Sequence, residues 1–388
     1  MPLLAAWLHD LSPFALRITG SFGIRWYGLA YATGFLIAWV LLRWLAARGA
    51  TYTTRQRAGD AVLYGVAGVV IGGRLGYIIF YHPSLLWEWT SSAPWWGALA
   101  INKGGMSYHG GLLGVIVATW FIARFIQREQ RARATDFAAP TTPPFAMGKS
   151  GAAKSVPQLN RGPWMLHILD TFALLTPPGL FLGRLANFVN GELLGRIAAP
   201  PGQPAPWWAV KFPQELLDEH SRWAGVLQDR PPIHTREQWR QAEAIIHGLA
   251  PGRTFEEGHG RLLEFIQSGN DTLANQVAPL VSARHPSQLY QAAGEGLLVL
   301  IIVWAIAARP RRPGTVSAWF MIAYGAVRII AEAFWRLPDA MNNAYIYGLT
   351  RGQWLSAGMV ATGVIGLILI RRRALPHIGG WLRPVPRV

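Results

Sequence analysis

The chain has 388 residues, 51% of them hydrophobic and only 14% charged, with a formal net charge of +16. So few charges cannot cover a soluble surface of this length, and the composition suits a multi-span membrane protein. Cysteine is absent, which excludes a disulfide framework, a thiolate metal site and a cysteine nucleophile.

Residues 1–25 lack a basic leader and a continuous apolar core, and Asp10 and Pro13 interrupt them. They read as an interfacial segment, not a cleaved signal. Seven apolar segments approach the ~20 residues a helix needs to cross a bilayer: 26–46, 59–80, 106–126, 164–185, 287–308, 315–335 and 352–371. Many of the 19 Trp lie near their ends, where indole favours the lipid–water interface.

The connections alternate in charge. Arg43, Arg48, Arg55 and Arg57 follow the first span, Arg124 to Arg161 the third, Arg309, Arg311 and Arg312 the fifth, and Arg371 to Arg373 the last. Such clusters point to anionic lipid and topology and away from nucleic acid. The positive-inside rule puts the N-terminus outside and the C-terminus in the cytoplasm. The expected fold is an all-α polytopic membrane protein with seven transmembrane helices.

Three regions are expected. Residues 1–196 hold spans 1–4, with interfacial arms (82–104 among them) and a flexible, Pro- and Ala-rich cytoplasmic loop at 132–162. Residues 197–284 contain half of the chain's 20 acidic side chains. Short amphipathic helices are expected there at 213–223, 235–247 and 254–267, forming a small extracytoplasmic helical head domain. Residues 285–388 hold spans 5–7 and a basic tail.

Charged groups at membrane depth are costly and usually functional. Arg74 sits in Gly72-Gly73-Arg74-Leu75-Gly76-Tyr77, which reads either as a helix-packing motif with a structural Arg or as an approach for a headgroup. His109 stands at the outer end of the third span among Gly104, Gly105, Gly110, Gly111 and Gly114. It is either structural or, with room for a substrate beside it, a base. No metal is expected there, because the chain has no His-Glu-x-x-His and no ligand pair at helical spacing lies near His109. Arg284-His285-Pro286-Ser287-Gln288-Leu289-Tyr290 suits a helix start, with Ser287 or the preceding residues as candidate caps. Glu295, inside the fifth span, needs a cationic or donor partner. Tyr324, Arg328 and Glu332 share one helix face at i, i+4, i+8; an Arg328–Glu332 ion pair would leave guanidinium donors for a phosphate.

The most telling segment is Gly183-Arg184-Leu185-Ala186-Asn187-Phe188-Val189-Asn190-Gly191-Glu192-Leu193-Leu194-Gly195-Arg196. It resembles the signature of the prolipoprotein diacylglyceryl transferases. Trp26-Tyr27-Gly28, Gly72–Tyr77, Gly104–Gly114, His285–Tyr290 and Tyr324–Glu332 with Arg336 and Pro338-Asp339 match in the family's order. Ala186, Leu194 and Gln291 depart from its usual Gly, Trp and Glu, the Glu332–Arg336 spacing is one residue long, and both long loops exceed the typical size.

The resemblance implies an enzyme of the bacterial cytoplasmic (inner) membrane. It would transfer the diacylglyceryl group of phosphatidylglycerol to the lipobox cysteine of a prolipoprotein signal peptide and release glycerol phosphate. No cofactor is implied. By position, Arg184, Asn187, Glu192, His109, Arg328 and Tyr27 would be catalytic. Arg184, Arg328, Asn187, Asn190, Gly195, Tyr324, Glu332 and Arg74 would bind phosphatidylglycerol. Cations aimed at the leaving phosphate would lower the barrier, and His109 would take the thiol proton. The alternative is a transporter or flippase for an anionic substrate, against which the lack of an internal repeat counts.

Overall fold

The structure is a computed structural model that describes residues 6–19, 22–80, 82–91, 94–100, 105–138, 161–225, 231–337 and 345–382. Its long helices are α1 (Trp26–Ala47), α2 (Ala58–Phe80), α3 (Tyr108–Ala138) and α4 (Arg161–Asn190). Four shorter ones follow: α5 (Glu215–Trp223), α6 (Arg236–Leu249), α7 (Phe255–Gln267) and α8 (Asp271–Val277). The last long helices are α9 (Ser287–Ile306), α10 (Thr315–Phe334) and α11 (Arg351–Arg372).

Among the described residues, six helices are long and apolar enough to cross a membrane: α1, α2, α4, α9, α10 and α11. The expected third span is the apolar stretch Gly110–Ile126 inside the longer α3. Both ends of the expected 132–162 loop are helical, since α3 runs to Ala138 and α4 begins at Arg161. Residues 139–160, Gly104 and Pro338-Asp339 lie outside the described residues. The segment before α1 is a β-hairpin, Phe14–Thr19 against Phe22–Arg25, where no strand was anticipated.

The chain divides into two compact units. One comprises 1–34, 177–302 and 320–364; the other comprises 35–176, 303–319 and 365–388. In the second unit, α2 and α3 touch along glycines. A Cβ on Gly72 would lie 2.4 Å from the Gly110 carbonyl oxygen, and one on Gly76 would lie 2.6 Å from the Gly110 Cα. No side chain fits there, so these glycines set the close approach of the two helices. Prolines 177 and 178 interrupt the α4 ladder, and Pro178 leaves the Leu174 carbonyl without its helical donor. The Trp304 indole donates to that carbonyl at 3.1 Å. Asp170 caps α10, accepting from the backbone nitrogens of Gly314 and Ser317 at 2.7 Å. Arg48, Arg311 and Arg312 donate to the carbonyls of Trp381, Ile306 and Arg371.

In the first unit, the anticipated helices in 197–284 are α5, α6 and α7. Thr235 and Thr254 close capping boxes with Gln238 and Glu257, which is why the latter two begin there. Their apolar faces meet in a core that includes Leu216, Trp239, Ile246, Phe255, Leu262, Val277 and Val281. A small sheet accompanies it, in the order Trp7–Leu8, Val210–Lys211, Ala283–Arg284, Ile197–Ala199.

A buried ion pair ties α5 to the segment before α6. Burial alone would raise the Glu219 carboxyl, but hydrogen bonds from the His234 side chain and from the backbone of His234 and Ile233 bring it down to about 2. Burial opposes a charge on His234, yet the Glu219 carboxylate and the Leu280 carbonyl push its pKa up. The depressed Glu219 contributes stability above its ordinary 4.5, which is lost as pH falls toward 2. The raised His234 contributes stability below its ordinary 6.5, which is lost as pH rises through its folded value. Amide exchange in 215–281 should therefore show the largest difference between wild type and Glu219→Gln from about pH 4.5 to 6.5, shrinking on either side. A difference that stays constant from about pH 3 to 8 would refute the coupling.

Candidate functional site

The signature segment begins on the last two turns of α4. Arg184, Asn187 and Asn190, at i, i+3 and i+6, share one face. The helix ends in a double hydrogen bond: Glu192 N donates to the Asn187 carbonyl at 3.0 Å and Gly191 N to that of Phe188 at 3.0 Å. Gly191 has φ +67°, so a left-handed C-terminal cap requires glycine here. The turn folds Glu192 back over the helix end. Its carboxylate accepts from Asn187 Nδ2 and Asn190 Nδ2, each at 3.2 Å, and Asn187 Nδ2 also reaches the Tyr27 hydroxyl at 3.2 Å. The Tyr31 ring lies 5.4 Å from that of Tyr27.

The loop after the helix is held carbonyl by carbonyl. Gln288 Nε2 donates to Glu192 O at 2.5 Å, Ser287 Oγ to Leu193 O at 3.1 Å and Arg284 Nη1 to Gly195 O at 2.9 Å. Ser287 thus serves the signature loop; the residue at the cap position of α9 is Pro286, whose side chain caps nothing. Arg284 is itself fixed by the buried Glu215, Nε to Oε2 at 2.6 Å, and Ser282 donates to the same carboxylate. Gly195 bridges to Arg336. A Cβ there would lie 2.1 Å from the His285 carbonyl oxygen and 3.0 Å from that of Trp335, so only glycine fits.

The charged groups of three spans meet at Glu295. Its Oε2 accepts from Arg184 Nε at 3.0 Å and Nη2 at 2.8 Å. Its Oε1 accepts from Arg328 Nη1 at 3.5 Å, and the same nitrogen donates to Gln291 Oε1 at 3.2 Å. Glu295 is fully buried, whereas the side chains of Arg184 and Arg328 retain 15% and 13% exposure. The expected Arg328–Glu332 pairing is looser, at 4.0 Å. Glu332 instead accepts from Thr350 Oγ1 at 2.8 Å, and its carboxylate occupies the space where a Cβ on Gly352 would sit. Tyr324 is buried beside Arg184.

Arg184, Asn187, Asn190, Glu192, Gly195, Tyr27, Tyr324, Arg328 and Glu332 thus all fall in the first unit. Arg74 and His109 belong to the second. Arg74 is buried, and donates to three backbone carbonyls: Ala98 at 2.8 Å, Gly97 at 2.6 Å and Gly105 at 3.0 Å. The packing account of its motif explains these contacts. His109 stands in the first turn of α3; its side chain lies outside the described residues. Among the described residues no group of three or more His, Asp or Glu could hold a metal ion.

Sequence reasoning placed Glu295 in need of a partner but did not see it as the meeting point of two guanidiniums. It named Gln291 only as a departure from the family pattern, without its contact to Arg328, and missed Tyr31, Thr350 and the Glu215–Arg284 pair. Glu295 carried a usable signal, a carboxylate between two glycines in an apolar run; the Glu215–Arg284 pair, 69 positions apart, carried none.

The fold and the site define a multi-pass membrane protein with a buried, cation-rich polar centre. A sequence model of prolipoprotein diacylglyceryl transferase matches residues 13–152 and 155–369. The phosphatidylglycerol–prolipoprotein diacylglyceryl transferase of Bdellovibrio bacteriovorus is 38% identical over 382 residues, 97% of each chain. Those of Burkholderia thailandensis and Neisseria gonorrhoeae are 33% identical over 372 residues and 30% over 367, covering 94% and 93% of this chain and 96% of theirs. The chain belongs to the prolipoprotein diacylglyceryl transferase family.

Two glycines of the signature separate steric from other demands. Gly195→Ala forces backbone apart and should destabilise the protein by about 1–3 kcal/mol. Nothing lies within 4 Å of a Cβ on Gly183, so Gly183→Ala should keep or raise stability, by up to about 1 kcal/mol from helix propensity. Thermal melting in detergent reads both; equal effects would contradict the geometry.

Proposed function

We propose that this chain transfers the diacylglyceryl group of phosphatidylglycerol to the lipobox cysteine thiol of prolipoproteins. The observation that carries the reading is the convergence of Arg184 and Arg328 within the family's signature site. The cysteine thiolate attacks the glyceryl carbon that bears the phosphate ester. A C–S bond forms, the C–O bond breaks, and glycerol phosphate leaves with the electron pair. The leaving group gains negative charge, and two guanidiniums that retain solvent access stabilise it through parallel N–H donors. Tyr27, Asn187, Asn190 and Glu192 form the hydrogen-bonded wall beside them, Tyr324 and Glu332 support the guanidiniums, and Gly195 lets the loop close. His109 is assigned the thiol proton on the family resemblance. Arg74, with its donors on backbone carbonyls, is assigned to holding its own unit together.

The reaction sits at the bacterial cytoplasmic membrane, with seven spans, the N-terminus outside and the C-terminus inside. Residues 197–284 form an extracytoplasmic head. The common direction of the Arg48, Arg311 and Arg312 contacts toward 371–381 supports a single basic, cytoplasmic end.

Purified protein with phosphatidylglycerol and a lipobox peptide should yield a thioether-linked lipopeptide and free glycerol phosphate; absence of both refutes the reading. In that assay Arg328→Lys keeps the charge but loses the fork, and should cost on the order of 10²-fold in rate. His109→Gln should lower the rate far more than phosphatidylglycerol binding; unchanged turnover at neutral pH would remove His109 as the base. In intact cells, an impermeant thiol reagent should label Glu237→Cys and spare His377→Cys. The reverse pattern would invert the topology.

A further inference from the structure

Glu295 lies in the middle of a π-helical stretch, Ala292–Leu298, within an apolar span. Widened turns of this kind are rare and recur at functional sites. The residues on either side are glycines, and both are needed. A Cβ on Gly296 would lie 2.6 Å from Phe181 Cβ and 2.8 Å from its Cα, on α4. A Cβ on Gly294 would lie 2.7 Å from Val327 Cγ1, on α10. Bare backbone at both positions lets α9 close on two neighbours at once. The carboxylate between them, 0% exposed, then reaches Arg184 on one neighbour with Oε2 and Arg328 on the other with Oε1.

A carboxylate here opposes simple anion binding. It cancels part of the positive charge that a phosphate would meet, so affinity alone would not place it there. What it does supply is direction. Arg184 binds Oε2 through both Nε and Nη2, which fixes the plane of that guanidinium. Arg328 is set by the other oxygen together with Gln291.

We propose that Glu295 is a positioning residue of the transfer reaction: it sets the orientation and spacing of the Arg184 and Arg328 guanidiniums for the leaving phosphate. It holds down ground-state affinity for the anionic headgroup at the same time. This rests on the function proposed above, and wild-type turnover in the lipobox peptide assay tests that function separately.

Glu295→Gln keeps the shape of the side chain and one acceptor, but removes the charge. Misaligned guanidiniums should lower kcat on the order of 10²-fold. The more positive site should leave KM for phosphatidylglycerol unchanged or lower it, and glycerol phosphate should inhibit more tightly. A merely structural carboxylate would lower the melting temperature and leave kcat of the folded protein alone. In folded Glu295→Gln, a kcat loss of about tenfold or more without a rise in KM supports the proposal. A smaller loss, or a raised KM, overturns it. If Glu295→Gln does not fold, Glu295→Asp decides. Its charge is kept, but its shorter reach cannot serve both guanidiniums, so a tenfold loss in the folded protein supports the proposal and full activity overturns it. Failure of both variants to fold would make Glu295 a scaffold residue and overturn it too.

Discussion

One carboxylate shared by two guanidiniums organises the first unit. Burying Glu295 completely carries a desolvation cost that only good geometry and full hydrogen bonding offset. Arg184 and Arg328 supply both, and this obliges α4, α9 and α10 to approach within side-chain reach of one point. The glycines at 294 and 296, and the π-helical turn that carries Glu295, are the means by which α9 meets that demand. Removing one partner would leave an uncompensated buried charge, which is far more damaging than replacing the whole cluster.

The signature loop depends on the same region from the other side. The carbonyls of Glu192, Leu193 and Gly195 receive side-chain donors from Gln288, Ser287 and Arg284. Arg284 in turn is anchored by Glu215 at the start of α5. Residues 197–284 are therefore not a detachable appendage. Glu215 and the strand Ala283–Arg284 reach back to the loop that carries Glu192 and Gly195, while Leu216, next to Glu215 on α5, packs into the core shared with α6, α7 and α8.

The chemistry follows from partial exposure. Glu295 is sealed, but the two guanidiniums it orients keep an open edge. A site that fixes cations in place before the anion arrives pays little reorganisation when charge develops on the leaving phosphate. Asn187 adds a second layer, joining Tyr27 of the first span to the carboxylate of Glu192 through a single amide.

Much was legible in the sequence because local rules produced it. Apolar run lengths located the long helices, and amphipathic spacing located α6 and α7, whose starts the structure shows fixed by the capping boxes of Thr235 and Thr254. The glycine motif of α2 signalled a close approach but left open whether a backbone or a headgroup came near; in the structure Gly72 and Gly76 meet the backbone of Gly110. The signature named Arg184, Asn187, Asn190, Glu192 and Gly195, and helical spacing put Tyr324, Arg328 and Glu332 on one face. The hairpin before α1 was not legible, because Phe14–Thr19 reads equally well as an interfacial stretch until it pairs with Phe22–Arg25. Nor was the choice of partners. Spacing alone favoured Arg328–Glu332, four residues apart, over Arg328–Glu295, 33 apart. The sequence by itself determined which charges lie at membrane depth, since Arg74, Arg184, Glu295, Arg328 and Glu332 each sit inside an apolar run; nothing in the chain marked Glu215, Glu219 and Arg284 as buried. Only the tertiary structure decided which of them meet, because that depends on how closely separate helices approach, and contact distances between distant segments leave no period in the chain.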